Sequence, residues 1–217
     1  MSDEVRTMAS NYVVKPHTGE ILATGVTFEE YLERFSGMHC ELVDGNVIKM
    51  SPATLQHQDI FGYLFNLLMA YFGLTKRGRV LTQPFTQRLP NVEAKREPDL
   101  MVVLAENFPR IQQTFLDGPA DICIEIVSEE STNRDHITKL GEYQKGGVKE
   151  YWILDYMQRE ALFYTLNKSG QYELQALDEN TYRTALLPGF TLYVPTLWQD
   201  PLPDFFAIGK AVQEMLK

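Results

Sequence analysis

Three short apolar runs constrain the fold of this chain more than any other feature. They are Asp99 to Leu104, Asp121 to Val127 and Glu150 to Asp155. Because each run is too short for a stable helix and rich in branched or aromatic residues, it is typical of an interior strand covered on both faces. Helical spacing of apolar residues precedes the first run, from His57 to Leu74, and recurs before the third, from Asn133 to Lys145.

The remaining patterns complete a mixed α/β fold. Val80 to Leu89 predicts a strand directly after the long helix, so the core order is helix, three strands, helix and strand (α-β-β-β-α-β). Before this core, Thr27 and Glu30 have the spacing of a capping box at the start of a short helix, and Asp44-Gly45-Asn46 predicts a hairpin turn. After the core, a β meander is predicted over Ala161 to Thr165, Tyr172 to Ala176 and Tyr182 to Leu187, with a short helix from about Asp204.

Length and composition predict one main domain. The 217 residues are 44% hydrophobic and 23% charged, which is enough for a sizeable core. We expect an N-terminal arm over residues 1–26, the main domain over 27–200 and a C-terminal helix over 201–217. No apolar run has the length of a membrane span or a signal peptide, so we expect a cytoplasmic protein without a membrane partner. Cys40 and Cys123 lack zinc-site spacing and are expected to be inert.

The charge balance disfavours one class of function. The 20 basic and 29 acidic residues give a net charge of −9, which would repel nucleic acid and disfavours a tight, passive binder. An enzyme is not excluded, because a metal ion held by carboxylates can carry polyanion chemistry from an acidic surface. The small basic clusters are expected to be solvated; they are Lys76, Arg77 and Arg79, and Lys95 with Arg96.

Glu125 is the most informative single residue, because it interrupts an otherwise apolar interior strand. A buried carboxylate must be paired, neutralised or bound to a metal. Strand alternation places it on one face with Cys123, while Ile124 faces the opposite side. Asp99 opens the neighbouring apolar run after Pro98, so the two carboxylates can converge at one sheet edge and bind a hard cation such as Mg²⁺. The alternative is that Glu125 pairs with a basic side chain and Asp99 caps a turn.

The helix after Glu125 offers further candidates. Asp135, Lys139 and Tyr143 are spaced i, i+4, i+8 and share one helix face, where Lys139 could neutralise charge at a reacting phosphate. Alternatively, Asp135 completes a capping box with Thr132, or forms a surface pair with Lys139.

Two further residues are ambiguous from the sequence. His57 begins the long helix and is either a surface or capping residue, or a metal ligand or proton carrier. Glu41 is either a solvated edge charge or a further ligand.

Several motifs together resemble a known family. They are Glu41-Leu42-Val43-Asp44-Gly45, His57, Glu97-Pro98-Asp99-Leu100, Ile124-Glu125-Ile126-Val127-Ser128, the Asp135, Lys139 and Tyr143 set, and Gly147-Val148-Lys149-Glu150-Tyr151-Trp152-Ile153-Leu154-Asp155. This ordered set, over roughly residues 25–195, resembles the Uma2 family (DUF820), which is assigned to the PD-(D/E)XK nuclease superfamily of restriction-type endonucleases. The resemblance implies the restriction-endonuclease core order given above.

The resemblance also implies site residues. Asp99 matches the motif aspartate and Glu125 the acidic residue of the (D/E)XK element. That element here is Glu125-Ile126-Val127, so the usual strand lysine is absent, and Lys139 on the following helix is the matching position. His57 matches a place where an additional ligand is often found.

The resulting hypothesis is a Mg²⁺- or Mn²⁺-dependent endonuclease acting on DNA. Asp99, Glu125, the backbone carbonyl of Ile126 and His57 would bind the ion, and Lys139 would orient or deprotonate the attacking water. Glu41 and Asp135 would support the site and Tyr143 would contact its ligands or the phosphate. A homodimer is expected, because nucleases that cut both strands commonly pair their sites.

A rival hypothesis makes the chain a catalytically inactive, nuclease-like interaction protein. In that case Glu125 and Lys139 form a structural pair, and the acidic net charge favours this view.

Overall fold

The computed structural model describes residues 20–35, 37–38, 40–50, 52–89, 91–92, 95–128, 131 and 134–217. Residues 1–19 of the expected N-terminal arm lie outside this part. The strands are β1 (Ile21–Ala23), β2 (Cys40–Val43), β3 (Asn46–Lys49), β4 (Gly78–Thr82), β5 (Thr86–Arg88), β6 (Lys95–Arg96), β7 (Leu100–Leu104), β8 (Phe115–Asp117), β9 (Ile122–Ile126), β10 (Glu150–Asp155), β11 (Glu160–Leu166), β12 (Tyr172–Leu174), β13 (Thr181–Arg183) and β14 (Thr191–Tyr193). The helices are α1 (Phe28–Arg34), α2 (Leu55–Thr75), α3 (Leu140–Gly146) and α4 (Phe205–Met215), with 3₁₀ turns at Ala105–Arg110 and Val194–Trp198 and a π-helical turn at Arg134–Lys139.

A central sheet carries the core in the order β12-β11-β10-β9-β7-β4. Strand β10 runs parallel to β9, and β9 runs antiparallel to β7. Every residue of β7, β9 and β10 is buried, as predicted for interior strands. Strands β4, β7, β9 and β10 of the central sheet and the helices α2 and α3 come in the chain order α-β-β-β-α-β, which confirms the predicted core order. Strands β5, β6 and β8, which lie between them in the chain, belong to a second sheet.

The two faces of β9 pack into different cores. Ile122, Ile124 and Ile126 join the core under α2, whereas Cys123 and Val127 join the core on the other face. This alternation confirms the predicted facing of the strand, and it directs Glu125 toward α3 rather than α2.

An N-terminal sheet, in the order β1-β3-β2-β6-β5-β8, lies beside the central one. Its hairpin turns at Asp44 and Gly45, which have φ of 49° and 74° as a two-residue turn of the predicted kind requires. Helix α1 begins at Thr27, whose capping box with Glu30 is present as predicted.

A crossing segment, residues 96–99, leads from β6 in the N-terminal sheet to β7 in the central sheet. Within it, Glu97 accepts hydrogen bonds from the hydroxyls of Tyr31 and Thr86, both at 2.7 Å. Since these donors belong to the N-terminal part of the fold, the crossing segment has a fixed position from which Asp99 enters the central sheet.

The prediction of one continuous strand over Val80 to Leu89 was wrong. The run forms β4 in the central sheet and β5 in the N-terminal sheet, with Pro84 between them. Proline has no backbone N–H and cannot continue a ladder of hydrogen bonds, so the chain changes sheets there.

The predicted meander is also modified. Strands β11 and β12 extend the central sheet, but β13 pairs with β14 in a separate sheet of two strands. Tyr182 of β13 stacks on Phe163 at 3.8 Å between ring centroids and packs edge-on against Trp152. Strand β13 therefore packs against the face of the central sheet through aromatic contacts instead of pairing with the edge of that sheet.

The C-terminal helix α4 begins after Asp204, whose carboxylate accepts from the N–H of Ala207 at 2.9 Å. Ile208 and Val212 bury this helix in the core that also contains α2. Among the helices of the described residues, none has the length and hydropathy needed to cross a membrane.

Candidate active site

Asp99 and Glu125 lie near the same end of β7 and β9, two neighbouring strands inside the central sheet. Asp99 precedes β7, and β7 pairs with β9 so that Leu100 lies opposite Ile124. The backbone N–H of Ile126 donates to Oδ2 of Asp99 at 2.7 Å. The Asp99 carboxylate is therefore fixed beside the end of the strand that carries Glu125.

Asp99 is held from two other directions. Nε2 of Gln83 donates to Oδ1 at 2.8 Å, and Nε2 of His57 lies 3.2 Å from Oδ2. His57 is buried in the first turn of α2, where its own N–H bonds to Thr54, so it is not a surface histidine. A carboxylate has about four lone-pair sites, so these three donors leave Asp99 the capacity to bind a metal ion.

Glu125 is buried at the centre of the site. Its Oε1 accepts from the hydroxyl of Tyr143 at 2.7 Å and lies 2.8 Å from Nζ of Lys139. Burial raises the pKa of Glu125 to about 8; Lys139 opposes this shift, and neighbouring carboxylates, that of Asp99 included, add to it. A metal ion bound beside this carboxyl would oppose the rise in pKa and favour its ionised form.

The π-helical turn directs Lys139 inward. Nζ of Lys139 lies 3.2 Å from Asp135, four residues earlier, and 3.5 Å from Glu41 on β2. Burial lowers the pKa of Lys139, but Asp135, Glu125 and Glu41 outweigh it and raise that pKa above its ordinary value. Lys139 therefore remains a cation. The sequence interpretation of Asp135 and Lys139 as a surface pair is wrong, because both side chains are 2% exposed.

Glu41 belongs to the same cluster and is not a solvated edge charge. Nη1 of Arg96 lies 3.0 Å from Oε2 of Glu41. Burial raises the pKa of Glu41, but Lys139 and Arg96 outweigh it and hold that pKa well below its usual range. Arg96 also donates to both carboxylate oxygens of Glu142, at 2.7 and 2.9 Å.

Arg96 contradicts the expectation that the small basic clusters are solvated, because its side chain is 0% exposed. Lys76, Arg77 and Arg79 are exposed as expected. These three residues lie just before or at the start of β4. There Gly78 pairs with Leu104, the last residue of β7, whereas Asp99 precedes the first residue of that strand.

The cluster has an excess of negative charge that suits a divalent cation. Its ion-paired groups are the carboxylates of Glu41, Glu125, Asp135 and Glu142 and the cations of Arg96, Arg134 and Lys139. Asp99 adds another carboxylate, so five possible negative charges meet three positive ones.

The number of carboxylates available as ligands, two, also fits Mg²⁺ or Mn²⁺. Within the described ranges, no three side chains of His, Cys, Asp or Glu gather closely enough to hold a metal by themselves. Mg²⁺ commonly takes only one or two carboxylates and keeps several waters, and Asp99 with Glu125 supply that number.

Comparison with known proteins identifies the family. A model of the Uma2 family, described as "Putative restriction endonuclease", matches residues 27–195. The chain belongs to the Uma2 family. No curated protein is significantly similar in sequence.

A solved structure is similar to this Uma2 chain in fold. It is the crystal structure of "a putative nuclease belonging to DUF820" from Anabaena variabilis ATCC 29413, with a TM-score of 0.68 and 15% sequence identity. The match covers 80% of this chain and 97% of that one, so the nuclease-like fold predicted from the sequence is confirmed.

Each of the eight residues predicted for the Uma2 site contacts at least one other of them. The residues in contact are Asp99 with His57 and the backbone of Ile126, and Glu125 with Tyr143 and Lys139, which also contacts Asp135 and Glu41. The predicted capping residue Thr132 lies outside the described residues.

Sequence reasoning missed Gln83, Arg96, Arg134 and Glu142. Only Arg96 carried a signal, because it directly precedes Glu97-Pro98-Asp99 and so enters the site with that motif.

Proposed function

We propose that this Uma2 protein is a Mg²⁺- or Mn²⁺-dependent endonuclease that hydrolyses phosphodiester bonds of DNA. The observation that supports it most is the anchoring of Asp99 by the N–H of Ile126, beside Glu125 and its 2.8 Å contact with Lys139. Two carboxylates near the same end of neighbouring strands and a lysine are the groups that metal-assisted phosphodiester hydrolysis needs.

In this proposal Asp99, Glu125 and the backbone carbonyl of Ile126 would hold the metal, and His57 would orient Asp99 through their 3.2 Å contact instead of serving as a third side-chain ligand. A divalent ion there supplies Lewis acidity to a phosphodiester and makes water a better nucleophile. Glu125 must ionise to bind it, and Tyr143 holds one oxygen of that carboxylate in place.

Lys139 has a positioning and electrostatic role. Because neighbouring carboxylates raise its pKa, it favours its charged form over the neutral form that a base would need. Its ammonium instead orients the attacking water and offsets charge that develops on the phosphate. Asp135 and Glu41 hold that ammonium in place.

Cleavage assays test the proposal directly. Plasmid, single-stranded DNA and RNA are incubated with Mg²⁺ or Mn²⁺ and with wild type, Glu125→Gln or Glu150→Gln, all purified identically. Glu150 is a matched control, because it is another buried glutamate, on the neighbouring strand, whose partners are Trp152, Tyr182 and Thr184. We expect DNA cleavage by wild type and Glu150→Gln but not by Glu125→Gln. Equal cleavage by all three would indicate a contaminant and contradict the proposal.

One observation favours the rival function, a catalytically inactive interaction protein. Glu125 already has two close partners, Lys139 and Tyr143, and its pair with Lys139 is buried like a structural ion pair. In that case no substrate is cleaved and neither metal stabilises the fold. The cleavage panel therefore separates the two functions.

We also propose that the protein is a cytoplasmic homodimer. Exposed apolar side chains follow the central sheet near the C-terminal strands, including Leu174, Leu177 and Tyr193. A two-fold axis would pair two sites for cleavage of both DNA strands. Light scattering after size-exclusion chromatography should give a mass near twice 24.9 kDa, and a mass of one chain would contradict the dimer.

A further inference from the structure

We propose that Arg96 is a positioning residue that determines which carboxylate Lys139 binds. By holding Glu41, Arg96 leaves the ammonium of Lys139 to bond Glu125. The catalytic consequence of this arrangement rests on the proposed nuclease function, whereas the arrangement itself does not.

The distances around Lys139 show the competition. Nζ of Lys139 lies 2.8 Å from Glu125 but 3.5 Å from Oε1 of Glu41. The other oxygen of Glu41, Oε2, lies 3.0 Å from Arg96. Glu41 is thus shared between two cations, and the shorter contact is with Arg96.

Arg96 is itself rigidly held. Its guanidinium donates through Nε and Nη2 to the two oxygens of Glu142, and through Nη1 to Glu41. This forked geometry is specific to arginine, because a lysine ammonium is a point charge without a fixed plane. Arg96 therefore joins β2, β6 and α3, the elements that carry Glu41, Arg96 and Glu142.

Loss of Arg96 should redirect Lys139. Glu41 would remain buried without its closest cation, and an uncompensated buried charge is costly. Lys139 is the next cation, whereas Arg134 lies 4.0 Å away and is shared with Asp135. Lys139 would therefore move toward Glu41 and weaken its contact with Glu125.

Double-mutant cycles test this without any requirement for activity. Free energies of unfolding are measured in urea for wild type, Lys139→Met, Glu125→Gln and the double variant, and again with Arg96→Met added to each. We expect the coupling constant between Lys139 and Glu125 to fall about threefold or more when Arg96 is replaced. A merely structural role for Arg96 lowers stability but leaves that coupling unchanged, and this result would overturn the proposal.

Matched variants keep the test decisive. Arg88→Met removes another arginine of the same sheet, paired with Asp117 at the surface, and should leave the coupling unchanged. If Arg96→Met does not fold, Glu142→Gln loosens the same guanidinium and should weaken the coupling in the same direction. Arg96→Lys should restore part of it, because it returns the charge without the fork.

Kinetics separate this proposal from the proposed function. In an active enzyme, Arg96→Met should lower kcat about 10-fold to 100-fold with little change in KM, because a misplaced group loses transition-state contacts. Arg96→Lys should recover part of that loss. A wild type without activity but with the expected change in coupling would contradict the nuclease and support the positioning role. An active wild type with unchanged coupling would support the nuclease and contradict the positioning role of Arg96.

Discussion

Nζ of Lys139 lies 2.8 Å from Oε1 of Glu125, and neither side chain is more than 5% exposed. A pair buried this deeply gains little net stability, because removing both charges from water costs about as much as their attraction returns. The role of the pair is therefore to place the Lys139 ammonium beside the Glu125 carboxyl group, whose pKa is raised by burial. The sequence predicted this neighbourhood through the charged interruption of an apolar strand and the helix that follows.

Replacement of Asp99 should abolish stabilisation by metal. A ligand that binds only the folded state stabilises it by about 2.7 kcal/mol at a hundred times its Kd. Millimolar Mg²⁺ or Mn²⁺ should therefore raise the Tm of wild type but not of Asp99→Asn. Asp117→Asn, which changes an exposed aspartate on β8, should keep the shift. A shift retained by Asp99→Asn would place the metal elsewhere.

Stability in metal-free buffer should depend on pH through Glu125. Because the folded pKa is raised from 4.5 to about 8, the folded state binds more protons than the unfolded chain between these values. This contribution to stability is complete below pH 4.5 and is lost as pH rises to 8, at no more than about 1.4 kcal/mol per pH unit. Relative to Glu125→Gln, wild type should therefore lose stability from pH 5 to 9 in urea titrations. Parallel curves for the two proteins would refute the shift.

Two buried tyrosines should differ in the cost of losing their hydroxyls. Tyr143 donates to the Glu125 carboxyl, whereas Tyr151, in edge contact with it, donates to the backbone carbonyl of Asp135. Hydrogen bonds to charged groups are worth about 1.5–3 kcal/mol, against about 0.5–1.5 kcal/mol for neutral ones. Urea denaturation at pH 9, where Glu125 is ionised, should show Tyr143→Phe to be the more destabilising. The opposite order would mean that the hydroxyl of Tyr143 does not support Glu125.

Gly78 should not tolerate a side chain, although Gly62 should. A Cβ at Gly78 would lie 2.7 Å from the carbonyl oxygen of Val103, across the β4–β7 ladder, whereas a Cβ at Gly62 in α2 meets nothing within 4 Å. Gly78→Ala should cost about 1–3 kcal/mol from overpacking, and Gly62→Ala should gain about 0.5–1 kcal/mol from helix propensity. Thermal unfolding of both variants measures this difference. Equal effects would show that the close approach at Gly78 is not limiting.

The sequence predicted the core strands because their signals are local. Leu100–Leu104 and Ile122–Ile126 each consist of an apolar run, and the charged Glu125 stands out against its own neighbours. The helix over Asn133 to Lys145 was also predicted from spacing, although its first described turn, Arg134–Lys139, is π-helical. An i, i+4 pattern does not distinguish these two forms of helix.

Apart from its β2–β3 hairpin, the N-terminal sheet could not be predicted in the same way. Strand β6 has two residues and β8 has three, which is too short for an alternating pattern to emerge. Arg96 illustrates the consequence, because its partners Glu41 and Glu142 lie 55 and 46 residues away in the chain. Its burial depends on contacts that no local window of sequence contains.

The crossing segment also bears on how the protein folds. Contacts between residues far apart in the sequence, such as those of Arg96 with Glu41 and Glu142, cost chain entropy before they gain any interaction energy. Such contacts therefore form late in folding. The central sheet can assemble from its own neighbouring strands, and Glu125 and Asp135 can reach Lys139 there. Glu41 and Arg96, which belong to the N-terminal sheet, join them only when both sheets have docked. An intermediate with only the central sheet formed would therefore already hold the carboxylates proposed to bind the metal, and docking of the N-terminal sheet would add the charges that fix Lys139.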